Sequence, residues 1–336
     1  MKTYEIAEPK GIDSLKLVER ATPKPRPSEV LMRVRATSLN YRDLVTVKGS
    51  AVARGIRLPL VPLSDGAGEV VEAGTDVTRF KPGDRVVASF FQNWLAGSPR
   101  SSFFRSALGG AIDGMLTEYI ALSEEGLVRI PDYMSFEEAA TLPCAAVTSW
   151  NALVSMGRVT AGETVMVLGT GGVSIFALQF ARMHGARVIA TSSSDAKLAR
   201  LRELGAIGVI NYKTTPDWDV QVLEMTGGEG VDHVIEVGGA GTLAKSIRAV
   251  KLGGRISLIG LLAGGGQIDP MPMLLKSVTL QGIFVGSRAM FEEMNRAMEI
   301  NGVHPAIDRV FPFAQARDAY RYLESGAHFG KVCIAV

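Results

Sequence analysis

The run VMVLGTGGVSIFALQFAR, residues 165–182, constrains the fold of this chain more than any other segment. An apolar strand, TVMVLG (164–169), meets a glycine turn that opens directly into a helix reaching Ala181. Gly169 lets the chain turn sharply and Gly171 admits a pyrophosphate close to the backbone. The N–H groups at the start of the helix then face phosphate oxygens. The glycines stand at 169, 171 and 172, so the spacing is not a strict G-x-G-x-x-G. No Gly-Lys-Ser/Thr follows, which argues against a Walker A loop. Downstream, RVIATS (187–192), GVINY (208–212), VDHVIEVG (231–238) and GRISLIG (254–260) alternate with helix-like stretches such as DAKLARLRELG (195–205) and SIRAVKLGG. Strands spaced by helices indicate a parallel sheet covered by helices. The fold class predicted is α/β, with a dinucleotide held at Gly169, Gly171, Gly172 and Val173.

The end of the second strand indicates the cofactor. Ser192 lies twenty residues beyond Gly172, close to where an NAD site places an acid on the adenosine ribose. Here the run is Thr191-Ser192-Ser193-Ser194-Asp195-Ala196-Lys197. Three hydroxyls and a lysine accommodate a ribose phosphate that an acid at Ser192 would repel, so NADPH is favoured over NADH. Asp195 complicates this inference unless it begins the next helix, where its charge complements the dipole. Lys197 reads equally as a solvated helix residue. Tyr212 either borders the adenine and its ribose phosphate or simply packs.

At 336 residues the chain exceeds what one ordinary core organises, and two domains are expected. Hydrophobic residues make up 47% and charged residues 21%, a folded composition. The 36 Lys and Arg against 34 Asp and Glu leave a charge of +2, too small a field to hold nucleic acid. Cys144 and Cys333 cannot build a disulfide framework, and the histidines at 184, 233, 304 and 328 contain no close pair. The polar start MKTYEIAEPK and the lack of an apolar run of about 18 residues predict a cytoplasmic protein with no membrane span. The first 125 residues read as short strands and turns, including VLMRVRAT (30–37), GAGEVVEAG (66–74) and RVVASFF (85–91). Segment 92–113 has no period and reads either as a loop over a cleft, anchored by Trp94 and Phe103, or as a surface excursion held by those aromatics. SFEEAATLPCAAVTSWNALV (135–154) has helical spacing, with Ser135 and Glu138 as a capping box. FEEMNRAMEI (291–300) and AQARDAYRYLESG (314–326) read as amphipathic helices before the strand KVCIAV.

ATSLNYRDLVTVKG (36–49), PLVPLSDGAGEVVEAG (59–74), RFKPGDRV (79–86), DGMLTEYI (113–120), LPCAAVTSWNAL (142–153), VLGTGGVSIFALQFAR (167–182), LGAIGVINY (204–212), LGGRISLIG (252–260) and HFGKVCIAV (328–336) together resemble the medium-chain dehydrogenase/reductase superfamily. The resemblance is stronger to its zinc-free, quinone oxidoreductase-like branch. It implies a GroES-like catalytic domain over 1–125, completed by a C-terminal return over 286–336. It also implies a Rossmann NADPH-binding domain over 126–285, with substrate in the cleft between domains. A homodimer joined through Rossmann sheets is implied too, involving SVTLQGIFVG (277–286). By the same likeness Thr148, Gly238 and Ile259 approach the cofactor, Phe284 and Val285 lie beside the nicotinamide, and Lys331 reaches the cofactor region or serves the surface.

The departures bear on the chemistry. Where zinc-dependent alcohol dehydrogenases of this superfamily carry a cysteine and a histidine, this chain has the Asn40-Tyr41 neighbourhood and Ser64, with Asp65 at the acidic neighbour of the histidine. Cys144 alone matches a ligand position, and 92–113 holds no cysteine for a structural zinc lobe. Zinc needs three protein ligands at a catalytic site, so none is expected and Cys144 reads as a small buried hydrophobe. The reading that follows is zinc-independent hydride transfer from NADPH to a quinone or an α,β-unsaturated carbonyl. Asn40 would position the carbonyl or the cofactor hydroxyls, and Tyr41 would donate or relay a proton. Asp43 would orient Tyr41 or a water, or else pair with Arg42. Ser64 would supply a polar wall, and Phe90 and Trp94 a flat apolar surface for a ring. The rivals are a zinc-independent alcohol or aldehyde oxidoreductase and an NADPH-sensing protein with little turnover.

Overall fold

The computed structural model describes residues 1–49, 56–260, 262 and 266–336, and the statements below concern those residues. They form two compact units, one of Met1–Val147 with Val285–Val336 and the other of Thr148–Phe284. The strand-and-turn region up to residue 125 and the stretch 126–147 therefore share a unit.

The first unit is built around β3 (Glu29–Leu39), which pairs antiparallel with β4 (Asp65–Ala73), β6 (Tyr119–Ser123) and β15 (Lys331–Ala335). β5 (Arg85–Ala88), β7 (Leu127–Arg129) and β14 (Ile307–Pro312) extend that sheet, while β1 (Lys2–Ile6) and β2 (Leu15–Glu19) form a separate antiparallel pair. The alternation in VLMRVRAT predicts one wet face. Instead, much of β3 is buried on both faces. Val30, Met32 and Val34 join one core with Val70, Val86 and Leu122. Leu39 joins a second, with Tyr320, Leu323 and Val332. The helix α10 (Ala316–Glu324) buries Ala316, Ala319, Tyr320 and Leu323, one stripe at helical spacing that contributes to the second core. Each fully buried large side chain contributes about 1.5–3 kcal/mol.

The second unit carries a fully parallel sheet in the order β10-β9-β8-β11-β12-β13. These strands are β8 (Thr164–Val167), β9 (Arg187–Ser192), β10 (Gly208–Asn211), β11 (Val231–Glu236), β12 (Val250–Leu258) and β13 (Thr279–Gly282). This is the doubly wound dinucleotide-binding order, and its direction reverses between β8 and β11. That reversal puts the ligand crevice at the C-terminal ends of those strands. β12 begins at Val250, four residues before the predicted strand GRISLIG, because α7 (Ala240–Ala249) ends earlier than the apolar pattern suggests.

Two further segments differ from their sequence reading. The run 135–154 is not one regular helix but α2 (Phe136–Ala140) and α3 (Val147–Trp150) interleaved with π-helical turns at Leu142–Ala146 and Asn151–Ser155. Pro143 has no N–H for the i→i−4 ladder, which accounts for the first interruption. The capping box at its start is present, Glu138 N–H donating to Ser135 Oγ at 3.2 Å and Ser135 N–H to Glu138 Oε2 at 2.8 Å. Segment 92–113 contains a 3-10 turn at Ser101–Ser106, and the Trp94 and Phe103 rings stack at 5.7 Å. No helix among the described residues is long and apolar enough to cross a membrane.

Candidate active site

In the second unit, Gly169 adopts a left-handed φ of +73°, a conformation a side chain would strain. Gly171 is the N-cap of α4 (Gly172–Met183) and carries no side-chain cap. A Cβ at either glycine would meet no atom within 4 Å, so open space lies against the backbone at the start of a twelve-residue helix. Open space beside a helix start with no side-chain cap, at Gly172 and Val173, fits a pyrophosphate. The turn is tied to the next strand, Gly169 N–H donating to Thr191 Oγ1 at 3.2 Å. It is also tied back to α3's end, where Ser149 Oγ donates to the Val173 carbonyl at 2.8 Å. Thr148, just before Ser149, is buried.

The serine run forms a bonded knot at the end of β9. Ser192 is buried, Ser194 N–H donates to its Oγ at 3.3 Å, and Tyr212 N–H donates to its carbonyl at 3.1 Å. Ser194 Oγ caps α5 (Asp195–Glu203) by accepting from Lys197 N–H, while Ser193 and Lys197 are half-buried. Asp195 is the first residue of that helix, and its Oδ1 accepts from Asn211 Nδ2 at 2.7 Å. Its charge is thus engaged by the helix start and by Asn211.

Sequence reasoning missed Glu236. At the end of β11 this fully buried carboxylate accepts from Gly238 N–H at 2.7 Å, Gly239 N–H at 3.1 Å and Thr242 Oγ1 at 2.6 Å, and also from Ser246 Oγ. Its own carbonyl accepts from Ile259 N–H at 2.8 Å. Glu236 therefore ties down both turns, the one bearing Gly238 through its side chain and the one bearing Ile259 through its backbone carbonyl. The available signal was an acid ending an apolar strand, followed by Gly-Gly and by hydroxyls six and ten residues on. Phe284 is exposed at the end of this unit. Val285, the first residue of the returning segment, is buried with φ +53°, a strained state for a β-branched residue and the kind found at functional sites.

The first unit gathers a buried polar cluster. Asn40 caps α1 (Tyr41–Val47), and its backbone N–H donates to Asp43 Oδ2 at 2.7 Å. Its side chain is held at both ends: Nδ2 donates to Asp65 Oδ2 at 2.9 Å, and Oδ1 accepts from Lys331 Nζ at 2.6 Å. Lys331 is only 3% exposed, and it also donates to the Leu39 carbonyl at 2.7 Å. Ser64 Oγ donates to Asp65 Oδ1 at 2.7 Å. Leu63, with φ +69°, sets the turn that aims Ser64 and Asp65 inward. Gly109 and Gly114 lie so close to the Leu63 backbone that a Cβ at either would clash with it. Burial raises the Asp65 carboxyl above its ordinary range, opposed by Lys331, Asn40 and Ser64. Burial pushes Asp43 up to about 6, opposed chiefly by Arg42.

The remaining predicted residues are placed as follows. Asp43 serves the cap and lies 3.4 Å from Arg42 Nη1; no bond to Tyr41 accompanies these. Tyr41 is 52% exposed at the first turn of α1. Phe90 and Trp94 are buried, Phe90 under the Arg42 guanidinium at 5.0 Å and Trp94 donating from Nε1 to the Gly97 carbonyl at 2.9 Å. Cys144 is half-buried, and desolvation, with Asp65 adding to it, raises its thiol far above the usual range. Among the described residues no three His, Cys, Asp or Glu side chains converge on a metal-sized site.

Residues 26–132 match the alcohol dehydrogenase GroES-like domain family, and residues 172–299 match the zinc-binding dehydrogenase family. A zinc-type alcohol dehydrogenase-like protein of Schizosaccharomyces pombe is 48% identical, the match covering 97% of this chain and 96% of that one. The 2-methylene-furan-3-one reductase of Solanum lycopersicum is 32% identical over 99% of this chain and 79% of its own length. The solved quinone oxidoreductase of Coxiella burnetii is similar in fold with a TM-score of 0.81 at 27% identity, covering 100% of this chain and 99% of that one. Parallel sheet order, glycine turn, GroES-like half and near full-length relatives agree: the chain belongs to the medium-chain dehydrogenase/reductase superfamily of nicotinamide-dependent oxidoreductases.

Proposed function

We propose that this chain is a zinc-independent, NADPH-dependent reductase of quinones or α,β-unsaturated carbonyls. The observation that carries this reading is the state of Asn40. In the neighbourhood where the resemblance puts a metal-binding cysteine of zinc-dependent members stands an amide, held between an ammonium and a carboxylate. Asn40 and Ser64 are weak zinc ligands already engaged with Asp65, a buried ammonium lies beside them, and the Cys144 thiol resists ionisation. That donor set does not fit a zinc ion.

A bound nicotinamide dinucleotide supplies the hydride. The glycine turn of the second unit holds the pyrophosphate, and Ser192, Ser193, Ser194 and Lys197 receive a ribose phosphate. Asp195 has partners other than that phosphate, since it is bonded to Asn211 and begins its own helix. In this reading Thr148, Gly238 and Ile259 approach the cofactor, and Phe284 and Val285 lie beside the nicotinamide. In an enone, hydride adds at the β-carbon and charge develops on the carbonyl oxygen, where Asn40 donates a hydrogen bond. The exposed Tyr41 phenol then donates or relays the proton. The names of the tomato and Coxiella relatives favour these substrate classes. The name of the fission yeast relative favours a second reading, alcohol or aldehyde oxidation–reduction with Tyr41 handling the proton.

Purified protein assayed with NADPH and NADH against quinone, enone, aldehyde and alcohol panels separates these readings. NADPH-dependent quinone or enone reduction is expected. Turnover of alcohols alone, or cofactor binding without any hydride consumption, would reject the proposal.

A further inference from the structure

The Lys331 ammonium has three N–H groups and three neighbours: the Leu39 carbonyl at 2.7 Å, Asn40 Oδ1 at 2.6 Å and Asp65 Oδ2 at 3.7 Å. Its donors are directed inward, and the side chain is almost wholly buried. Asp65 is equally committed, its two oxygens taking Ser64 Oγ and Asn40 Nδ2. An ammonium can only donate, and an ionised carboxylate can only accept. Between them they permit one orientation of the Asn40 amide and forbid its flip. What remains to Asn40 is one Nδ2 hydrogen.

We propose that Lys331 and Asp65 are positioning residues, a buried ion pair whose role is to lock the Asn40 amide so that its remaining N–H points at the oxygen where charge develops. Lys331 thus acts through Asn40 and makes no contact of its own with cofactor or substrate. The part played by the remaining N–H rests on the reductase reading; the locking of the amide does not. β15 carries Lys331 and pairs with β3 in the register Val332↔Leu39, which puts the lysine beside the last residue of β3 and the Asn40 that follows. The closing strand of the chain is therefore what places the ammonium there. Arg42 and Asp43, next to Asn40, bring a second opposite pair to the same end of α1. Loss of one member unbalances a buried set of two positive and two negative groups.

The test pairs Lys331→Met and Asp65→Asn with Asn40→Ala, singly and combined, with Lys331→Arg as the conservative rescue. Each folded protein is labelled with 15N-asparagine and assayed with NADPH and an enone. The Asn40 side-chain amide is identified as the signal lost in Asn40→Ala. The wild type should show the Asn40 Nδ2 proton bonded to Asp65 shifted well away from its geminal partner. Lys331→Met and Asp65→Asn should each move that proton toward the position of an unbonded amide, and Lys331→Arg should restore most of the shift. Lys331→Met should lower kcat/KM by about 10–100-fold alone but by less than about threefold when Asn40 is already alanine. The NADPH Kd should stay within about threefold throughout. Asn40 amide signals unchanged in both variants would overturn the proposal whatever the rates do, as would strictly additive losses. If Asn40→Ala leaves the rates untouched while its amide signals still respond to Lys331→Met, the positioning stands and the catalytic reading of Asn40 falls. Should Lys331→Met not fold, the spectrum of Asp65→Asn decides alone.

Discussion

Asp43 is a buried carboxyl that keeps its proton to about pH 6, so the fold feels its charge state directly. In the unfolded chain an aspartate loses its proton near pH 4. The native state thus binds this proton more tightly, and the group's favourable contribution is complete below about pH 4. It declines as pH rises and is gone above about pH 6, a span of about 3 kcal/mol at most. Asp43→Asn cannot ionise. Urea unfolding at pH 4 and pH 7 should show stability shifting in the variant's favour by up to that amount as pH rises; an unchanged difference would contradict the burial argument. Individual residues were legible in the sequence where their type is distinctive, as with Asn40, Ser64 and the serine run. Their partners were not. Nothing local to Asp65 or Lys331 shows that residues 266 positions apart share one amide, because β15 and β3 meet only in the folded sheet. Phe90 and Trp94 illustrate the opposite difficulty, since an aromatic pattern alone does not distinguish an exposed wall from the buried packing seen here.

Among the elements, the turn between β8 and α4 makes the sharpest prediction. Gly171 has an ordinary φ of −77° and open space where its Cβ would be, whereas Gly169 sits at +73°. Gly171→Ala should weaken NADPH binding by at least about tenfold while moving the melting temperature by no more than about 3 °C. Gly169→Ala should in addition cost about 1–2 kcal/mol of stability. Calorimetric titration and thermal melts of the two variants check both parts. Binding that survives Gly171→Ala intact would remove the pyrophosphate from this turn. The strand–turn–helix units of the second sheet were readable from periodicity, because each unit is local. The π-helical turns at 142–146 and 151–155 were not, since apolar spacing does not report a shift of one residue in the hydrogen-bond ladder.

For the molecule as a whole, sheet class could be read from the chain, but the return of β14 and β15 into the first sheet could be reached only by resemblance. Assembly is open to the same approach. The edge strand β13 and the neighbouring helix α8 (Met271–Leu275) bury no large side chain of their own, and Leu274 and Leu275 are each 72% exposed. We expect this apolar edge to be the homodimer surface. Light scattering should find a dimer that Leu274→Asp converts to monomer; a monomeric wild type would rule the surface out. The central claim is hydride transfer to carbon without a metal, and it is tested most directly with NADPH deuterated at the transferable position. The protein, first stripped of metal by chelation and shown to remain folded, is given this cofactor and an enone, and the product is read by mass and NMR. The account predicts deuterium on the β-carbon at a rate that added zinc does not change. Label on the carbonyl carbon alone, or turnover that returns only with zinc, would contradict it.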